Sequence, residues 1–409
     1  MVDSHMSGGL TRRELLKSTA AMGALFGTRA WAAGLPEDKL QRAYRPLILI
    51  EVRGGHDGLA AVVPASQPML KRLRPTLSRS AGDGLQLDAE HWMGKSLGAL
   101  ARTFQAGKLA IVEGVGIPGS ARSHFRAADI WYSADPERGL VNGGWIARLG
   151  DLAWAERGSD AVVHFGSDPS RAHFSSTRTA LVVENPAHFA SLGKGPADEP
   201  SKSPRRKAKP DPRQEAIDRI RVVAERADRQ SLRVRAATAG YRTPVEYPLS
   251  RIASNLRDIA ALLFLPDDQP AYVLSTAHGG FDTHARQEAG LSRPQVELDQ
   301  ALAALMADLG RSELGQQAVV VVYSEFGRRA AENGSQGTDH GKAGPVFVLG
   351  HQVQGGFYGQ APDLENLDEG DVRVTCDFRS IYATLIEGIF QRDSAKVLGG
   401  KHAIVPFLA

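Results

Sequence analysis

Two short apolar runs, Ala271 to Ser275 and Ala318 to Tyr323, constrain this chain more than any other feature. Both are bounded by polar turns, and the second is almost wholly β-branched, the pattern of strands buried on both faces of a parallel sheet. Oxygen and nitrogen ligands follow each run closely. Asp282 and His284 come after the first, Glu325 after the second, and Asp339 and His340 sit in a loop that opens and closes on Gly337 and Gly341. In open α/β sheets, ligands bind beyond the carboxyl ends of the strands. A carboxylate–imidazole set gathered there suits a divalent metal: zinc, manganese or iron, ahead of calcium and magnesium, which take imidazole poorly. The expectation is an α/β protein with a metal centre.

Other segments feed the same edge. LILIEV, residues 47–52, reads as a strand ending in Arg-Gly-Gly-His-Asp-Gly, and Asp57 is expected to join the centre as a ligand or ligand-orienting residue. The alternative is a turn residue bonding its own backbone. Residues 109–112 form a further strand, followed by GSARSHFRAADIW, in which Ser120 and Ser123 precede a helix. A serine there caps the helix, or its hydroxyl is activated by a nearby metal, which makes Ser123 with His124 the nucleophile neighbourhood. Arg328 and Lys342 either hold an anionic group or pair with the ligand carboxylates. Strands are also expected at 161–165, 180–183 and 346–349, and helices at 97–104, 246–264, 297–310 and 377–390. His164, inside an apolar run, reads as a core histidine, and His173 and His188 as residues of polar loops or helix starts.

With 409 residues and 42% hydrophobic content, the chain can bury one large core. A net charge of +3 and the absence of any nucleic-acid motif argue against a nucleic-acid partner. Cys376 is the only cysteine, so an internal disulfide and multi-thiolate sites are excluded. Residues 10–32 carry Thr-Arg-Arg, a short weakly apolar stretch and Ala-Trp-Ala, the pattern of an export signal of the twin-arginine class. Its apolar stretch is far shorter than the ~20 residues a bilayer needs, so no transmembrane anchor is expected in the mature chain. The organisation expected is a signal peptide over 1–32 and a single α/β domain over 33–409. A basic insertion or cap lies at about 190–245, where Lys202 to Arg242 holds 13 Lys or Arg against 5 Asp or Glu. A solvated charged face accounts for that run, with docking of an acidic partner or surface as the alternative.

The motifs FDTH, SEFGRR with NGSQGTDHG, LILIEVRGGHDG and GSARSHFRAADIW together resemble the exported family catalogued as domain of unknown function 1501. That family is placed near the alkaline phosphatase and sulfatase superfamily. The resemblance implies a doubly wound, mostly parallel sheet with helices on both faces and a metal site at the carboxyl ends of its strands. Gly337-Thr338-Asp339-His340 is similar to a ligand motif of that superfamily, and Asp57, Asp282 and His284 resemble its earlier ligands. Glu325 stands where the superfamily has an aspartate, and Phe326 where it has a ligand histidine.

The function expected is an exported, periplasmic metal-dependent hydrolase of phosphoric esters using Asp57, Asp282, His284, Glu325, Asp339 and His340 as metal residues and Ser123, His124 and Arg328 as catalytic ones. Its metal would be zinc or manganese, and its substrate an anionic small molecule or envelope component. Sulfuric esters rank lower, because the only cysteine, Cys376, lies far from the early-helix position at which the superfamily's sulfatases carry a formylglycine. The alternative is a metal- or ligand-binding envelope protein without turnover on the same fold.

Overall fold

The computed structural model describes residues 45–78, 83–119, 122–189, 225, 228–265 and 270–408. The export segment 1–32, Ser120 and the basic run from 202 to 224 lie outside these residues.

One large sheet carries the molecule. In chain order its strands are β1 (Leu47–Val52), β2 (Leu109–Gly116), β3 (Val162–Phe165), β4 (Leu181–Val183), β5 (Val273–His278), β6 (Val319–Ser324), β7 (Gly344–Leu349), β8 (Gly356–Tyr358) and β9 (Cys376–Asp377). They lie in the order β8-β2-β7-β6-β1-β5-β3-β4, with β9 also pairing β2. β7 runs antiparallel to both of its neighbours, and the other pairings are parallel. β1 sits at the centre with all six residues buried, paired in register from Leu47 to Val273 and Val319. That is why LILIEV is almost unbroken hydrocarbon: a central parallel strand is covered on both faces.

Alternate residues of the strands supply two separate cores. Ile48, Ile50, Leu274, Val320 and Val322 pack with Leu256 and Ile259 of one helix and Leu298, Leu302 and Leu305 of another. Leu47, Leu49, Val273, Val319 and Val321 face Trp131, Trp145, Phe378, Tyr382 and Leu385. Helices therefore cover both faces, as a doubly wound sheet requires. Those named below are α1 (Gly58–Ala61), α2 (Pro68–Leu73), α3 (Gly98–Gln105), α4 (His124–Ser133), α5 (Trp145–Ala153), α6 (Arg251–Leu263), α7 (Gln287–Leu309) and α8 (Phe378–Phe390). Each buried Leu or Ile contributes about 1.5–3 kcal/mol of transfer free energy. Among the described residues, no helix is long and apolar enough to cross a membrane.

Three sequence expectations need correction. The helix expected over 246–264 begins later, at Arg251, where the Ser250 hydroxyl accepts from the Ala253 N–H as its cap. The strand expected at 271–275 begins and ends later, at Val273 and His278. The helix expected over 297–310 starts ten residues earlier, at Gln287, and runs through Pro294. Gly290 and Pro294 look like breakers, yet the helix tolerates them because its apolar face, Leu291, Leu298 and Leu302, is buried against the sheet. His173, expected in a loop or at a helix start, closes the short 3-10 turn Arg171–His173; it is 1% exposed and packs beside the buried His164, both rings meeting the Ser275 hydroxyl.

The topology positions the site. β6, β1 and β5 are adjacent and parallel, so the segments after Ser324, Val52 and His278 leave the same edge side by side. β2 runs in the same direction and delivers α4 there.

Candidate metal centre

Three imidazoles converge on one carboxylate at that edge. Asp282, half-exposed, places Oδ1 3.1 Å from His284 Nε2, 3.3 Å from His340 Nε2 and 3.6 Å from His124 Nε2. The Nε2 atoms of His284 and His340 are 2.9 Å apart. One ligand atom from each of His124, Asp282 and His340 lies within 4.8 Å of the others.

The opposite nitrogen of every ring is anchored. His124 Nδ1 meets Glu325 Oε1 at 2.7 Å, His340 Nδ1 meets the Arg122 carbonyl at 2.8 Å, and His284 Nδ1 meets Asp339 Oδ1 at 3.3 Å. Carbonyl and carboxylate oxygens only accept, so each Nδ1 donates, and in the neutral ring Nε2 is then the nitrogen that could hold an ion. Anchoring of this kind recurs behind metal-bound histidines. His124 Nε2 is buried without a hydrogen-bond partner, so a donor atom is free on the face it turns to Asp282. Ligands about 2.0–2.2 Å from a tetrahedral zinc would be about 3.3–3.6 Å apart, close to the separations here. The donor set fits zinc, manganese or iron.

Electrostatics reinforce the arrangement. The hydrogen bond to Glu325 raises the pKa of His124 despite partial burial. Burial opposes ionisation of Glu325 and of Asp282, but His124 beside the first and Arg328 beside the second hold both carboxyls below their usual range. Asp339 is held low chiefly by the Asn333 amide, which also donates to the carbonyl of His284.

Loops meet closely to make this possible. Gly54 has φ +115, and a Cβ there would run into the backbone of Phe281 and Asp282. Gly337 lies against the backbone of His284, leaving no room for a side chain. Phe326 is 4% exposed, and its ring stands 4.8 Å from those of both His124 and His340. It is an apolar wall against two imidazoles.

The residues singled out in the sequence divide into groups. Asp282, His284 and His340 are brought together. His124, expected beside a nucleophile, faces the same carboxylate. Glu325 and Asp339, expected as ligands, stand behind His124 and His284 and orient them. Asp57 is not brought to the cluster. Its Oδ1 accepts from the N–H groups of Leu59 and Ala60, capping α1, and its Oδ2 accepts from Arg74 at 2.7 Å and from Gln287. All of its acceptor capacity is used by protein donors. Arg328, expected either to hold an anion or to pair with the ligand carboxylates, does the second: its side chain is 0% exposed and donates to Asp282 and to the carbonyls of Gly54, Gly55, Phe281 and Thr338. It thereby ties the site loops together. Lys342 is paired with Asp368 at 2.8 Å. Ser123 is exposed at the N-cap of α4, and its hydroxyl makes no capping bond.

Sequence reasoning missed the Glu325–His124 pair and the buried partners of Asp57. The signal for the first was present: Ser-His at a helix start on the edge that Glu325 also reaches.

Several solved structures are similar to this chain at low identity. The C-terminal periplasmic domain of EcEptC from Escherichia coli, in complex with Zn, is 9% identical over 85% of this chain and 83% of its own, with a TM-score of 0.40. A protein in the alkaline phosphatase superfamily from Vibrio parahaemolyticus is 10% identical over 87% of this chain and 67% of its own, with a TM-score of 0.39. PsFucS1 sulfatase from Pseudoalteromonas sp. is 10% identical over 96% of this chain and 72% of its own, with a TM-score of 0.38. Identities and scores this low carry no shared chemistry with them. No curated protein sequence matches this chain. Residues 270–387, which hold Asp282, His284, Glu325, Asp339 and His340 but not His124, match the family described as protein of unknown function (DUF1501).

Proposed function

We propose that this protein is an exported metal-dependent hydrolase of phosphoric esters, with His124, Asp282, His284 and His340 holding a divalent ion, zinc or manganese. One observation carries the reading: three Nδ1-anchored imidazoles aim their Nε2 atoms at a single half-exposed carboxylate oxygen. A bound ion there would polarise an ester oxygen and lower the pKa of water. Glu325, Asp339 and the Arg122 carbonyl keep the rings in the ligating tautomer. Phe326 excludes water from one side of the cluster. Ser123, exposed and uncommitted beside His124, is the nucleophile candidate. Location in the periplasm rests on the export signal at 10–32. Sulfuric esters rank below phosphoric ones.

A second reading, a metal- or ligand-binding envelope protein without turnover, is favoured by one specific observation. Arg328 and Lys342, the two cations the sequence singled out to meet an anionic group, are already bonded within the protein.

Elemental analysis of protein matured by its own export route separates these. Near-stoichiometric zinc or manganese, lost in the Asp282→Ala/His340→Ala variant, is the expected result. Turnover of phosphate mono- or diesters by the loaded protein, abolished in Ser123→Ala, supports the hydrolase. Bound metal with no turnover of phosphate or sulfate esters supports the binder. No bound metal overturns the hydrolase and leaves a ligand-binding protein on the same fold.

A further inference from the structure

Behind the ligand loops lies a buried polar knot that includes none of the cluster's own side chains. Its centre is Gln287, first residue of α7 and 2% exposed. The amide oxygen accepts from the hydroxyls of Thr283 at 2.9 Å and Thr338 at 2.6 Å, while the amide nitrogen donates to Asp57 Oδ2. Thr283 lies between Asp282 and His284, and Thr338 immediately precedes Asp339 and His340. One side chain therefore joins the two segments that present the cluster.

The backbone repeats the connection. Arg286 N–H donates to Ser335 O and Gln287 N–H to Gln336 O, each at 2.9 Å, so the start of α7 is docked on the 333–340 loop. Thr338 N–H in turn donates to Thr283 O at 3.2 Å. Asp57 is itself immobilised: it caps α1 and pairs with Arg74, which is 2% exposed and also donates to the carbonyls of Ala330 and Arg329. Buried polar groups cost free energy unless bonded. Here the amide oxygen accepts two bonds and its nitrogen makes a third, to a charged acceptor. The amide orientation follows from these partners, since two hydroxyl donors need the oxygen and a carboxylate needs the nitrogen.

We propose that Gln287 is a positioning residue for the metal centre: it registers the 281–284 and 338–340 segments against each other, with the Asp57–Arg74 pair as its anchor. This rests on the reading of His124, Asp282, His284 and His340 as a metal site. It also accounts for Asp57, a carboxylate after the central strand that serves the centre through Gln287 rather than by ligation. Groups that orient metal-binding side chains from behind commonly set affinity by about 10–100-fold.

The test measures affinity for zinc(II) and manganese(II) by competition with a chromophoric chelator, on full-length mature protein stripped and reloaded. Gln287→Met keeps the length and removes every bond. It should weaken metal binding by about 10–100-fold at temperatures well below the melting midpoint of the metal-free protein. Thr283→Val and Thr338→Val keep the shape and remove one hydroxyl each, and each should weaken binding about 2–10-fold. In the Gln287→Met background both valine effects should vanish, a coupling that simple loss of stability does not produce. If Gln287→Met fails to fold, the two valine variants and their double carry the test through their non-additivity. Wild-type binding with unchanged affinity in the variants overturns this proposal alone. So do valine effects that add fully with each other and with Gln287→Met. A wild-type protein that binds neither ion overturns the metal site and this proposal together.

Discussion

Asp57 and Asp282 invite comparison. Both follow central parallel strands at the same edge, both touch an arginine, and both are held below the usual carboxylate range. Burial is the largest influence on each and opposes ionisation; Arg74 and Arg328 respectively overcome it. Their surroundings differ. Asp57 is 1% exposed and saturated by two backbone N–H groups, Arg74 and Gln287. Asp282 has a side chain 50% exposed, and three imidazole Nε2 atoms face it. A carboxylate with all its lone pairs engaged is an anchor, whereas one that shares its face with three imidazoles has neighbours able to hold a cation with it. Position after a strand does not distinguish the two. The number and kind of neighbouring donors does.

The largest way to break that contrast is Asp57→Ala, which leaves Arg74 buried without its counter-charge. A loss of about 3–5 kcal/mol in urea unfolding is expected, in metal-free protein as well as loaded. A cost below about 1 kcal/mol would make the pair no anchor.

Next in size is an acid effect at the neighbouring His56, which is 5% exposed and whose pKa burial pushes down to about 4 from 6.5. Because the folded value is depressed, the unfolded chain takes up the proton first. Stability is complete above about pH 6.5 and falls as pH drops towards 4, by about 2–3 kcal/mol for this one group. His164 and His173, depressed to about 4 and about 3 by burial, add to the same limb. Urea midpoints from pH 7 to 4.5 should show a shallower fall in His56→Gln, and an unchanged slope would place His56 outside this account.

Asp282→Asn should behave in the opposite sense to Asp57→Ala. It keeps an acceptor for Arg328 but removes the charge, so zinc affinity should fall by about 10–100-fold while the metal-free protein melts within about 1 kcal/mol of wild type. Equal effects on affinity and stability would erase the distinction between the two aspartates. Smallest is Glu325→Gln, in which an amide can still bond His124 Nδ1 but no longer favours the charge on the ring. About a tenfold loss of metal affinity is expected, measured by the same competition. No loss at all would remove Glu325 from the set of orienting groups.

Much of the architecture was readable beforehand because it follows from periodicity and composition. Runs such as LILIEV and VVVVY can only be strands buried on both faces, and the apolar spacing of Leu256, Ile259 and Leu263 can only be a helix laid on a sheet. The start of α7 was not readable. Gly290 and Pro294 oppose helix locally, and burial against the sheet overrides that opposition. The antiparallel course of β7 has no sequence signature either, since pairing direction is set by where the 325–343 loop returns.

For the site, the residue types and their common edge followed from the sequence alone: Asp282, His284, Glu325, Asp339 and His340 all lie just beyond two strands that had to be central. The division of labour among them was decided by tertiary structure. Whether an aspartate caps a helix or faces an imidazole depends on hydrogen-bond partners as far as 230 residues away in the chain, as Gln287 is from Asp57. Spacing along a sequence carries no record of such partners. Carboxylates of one kind thereby became an anchor at Asp57, an orienting group at Glu325 and a candidate ligand at Asp282, through the donors that folding placed around each.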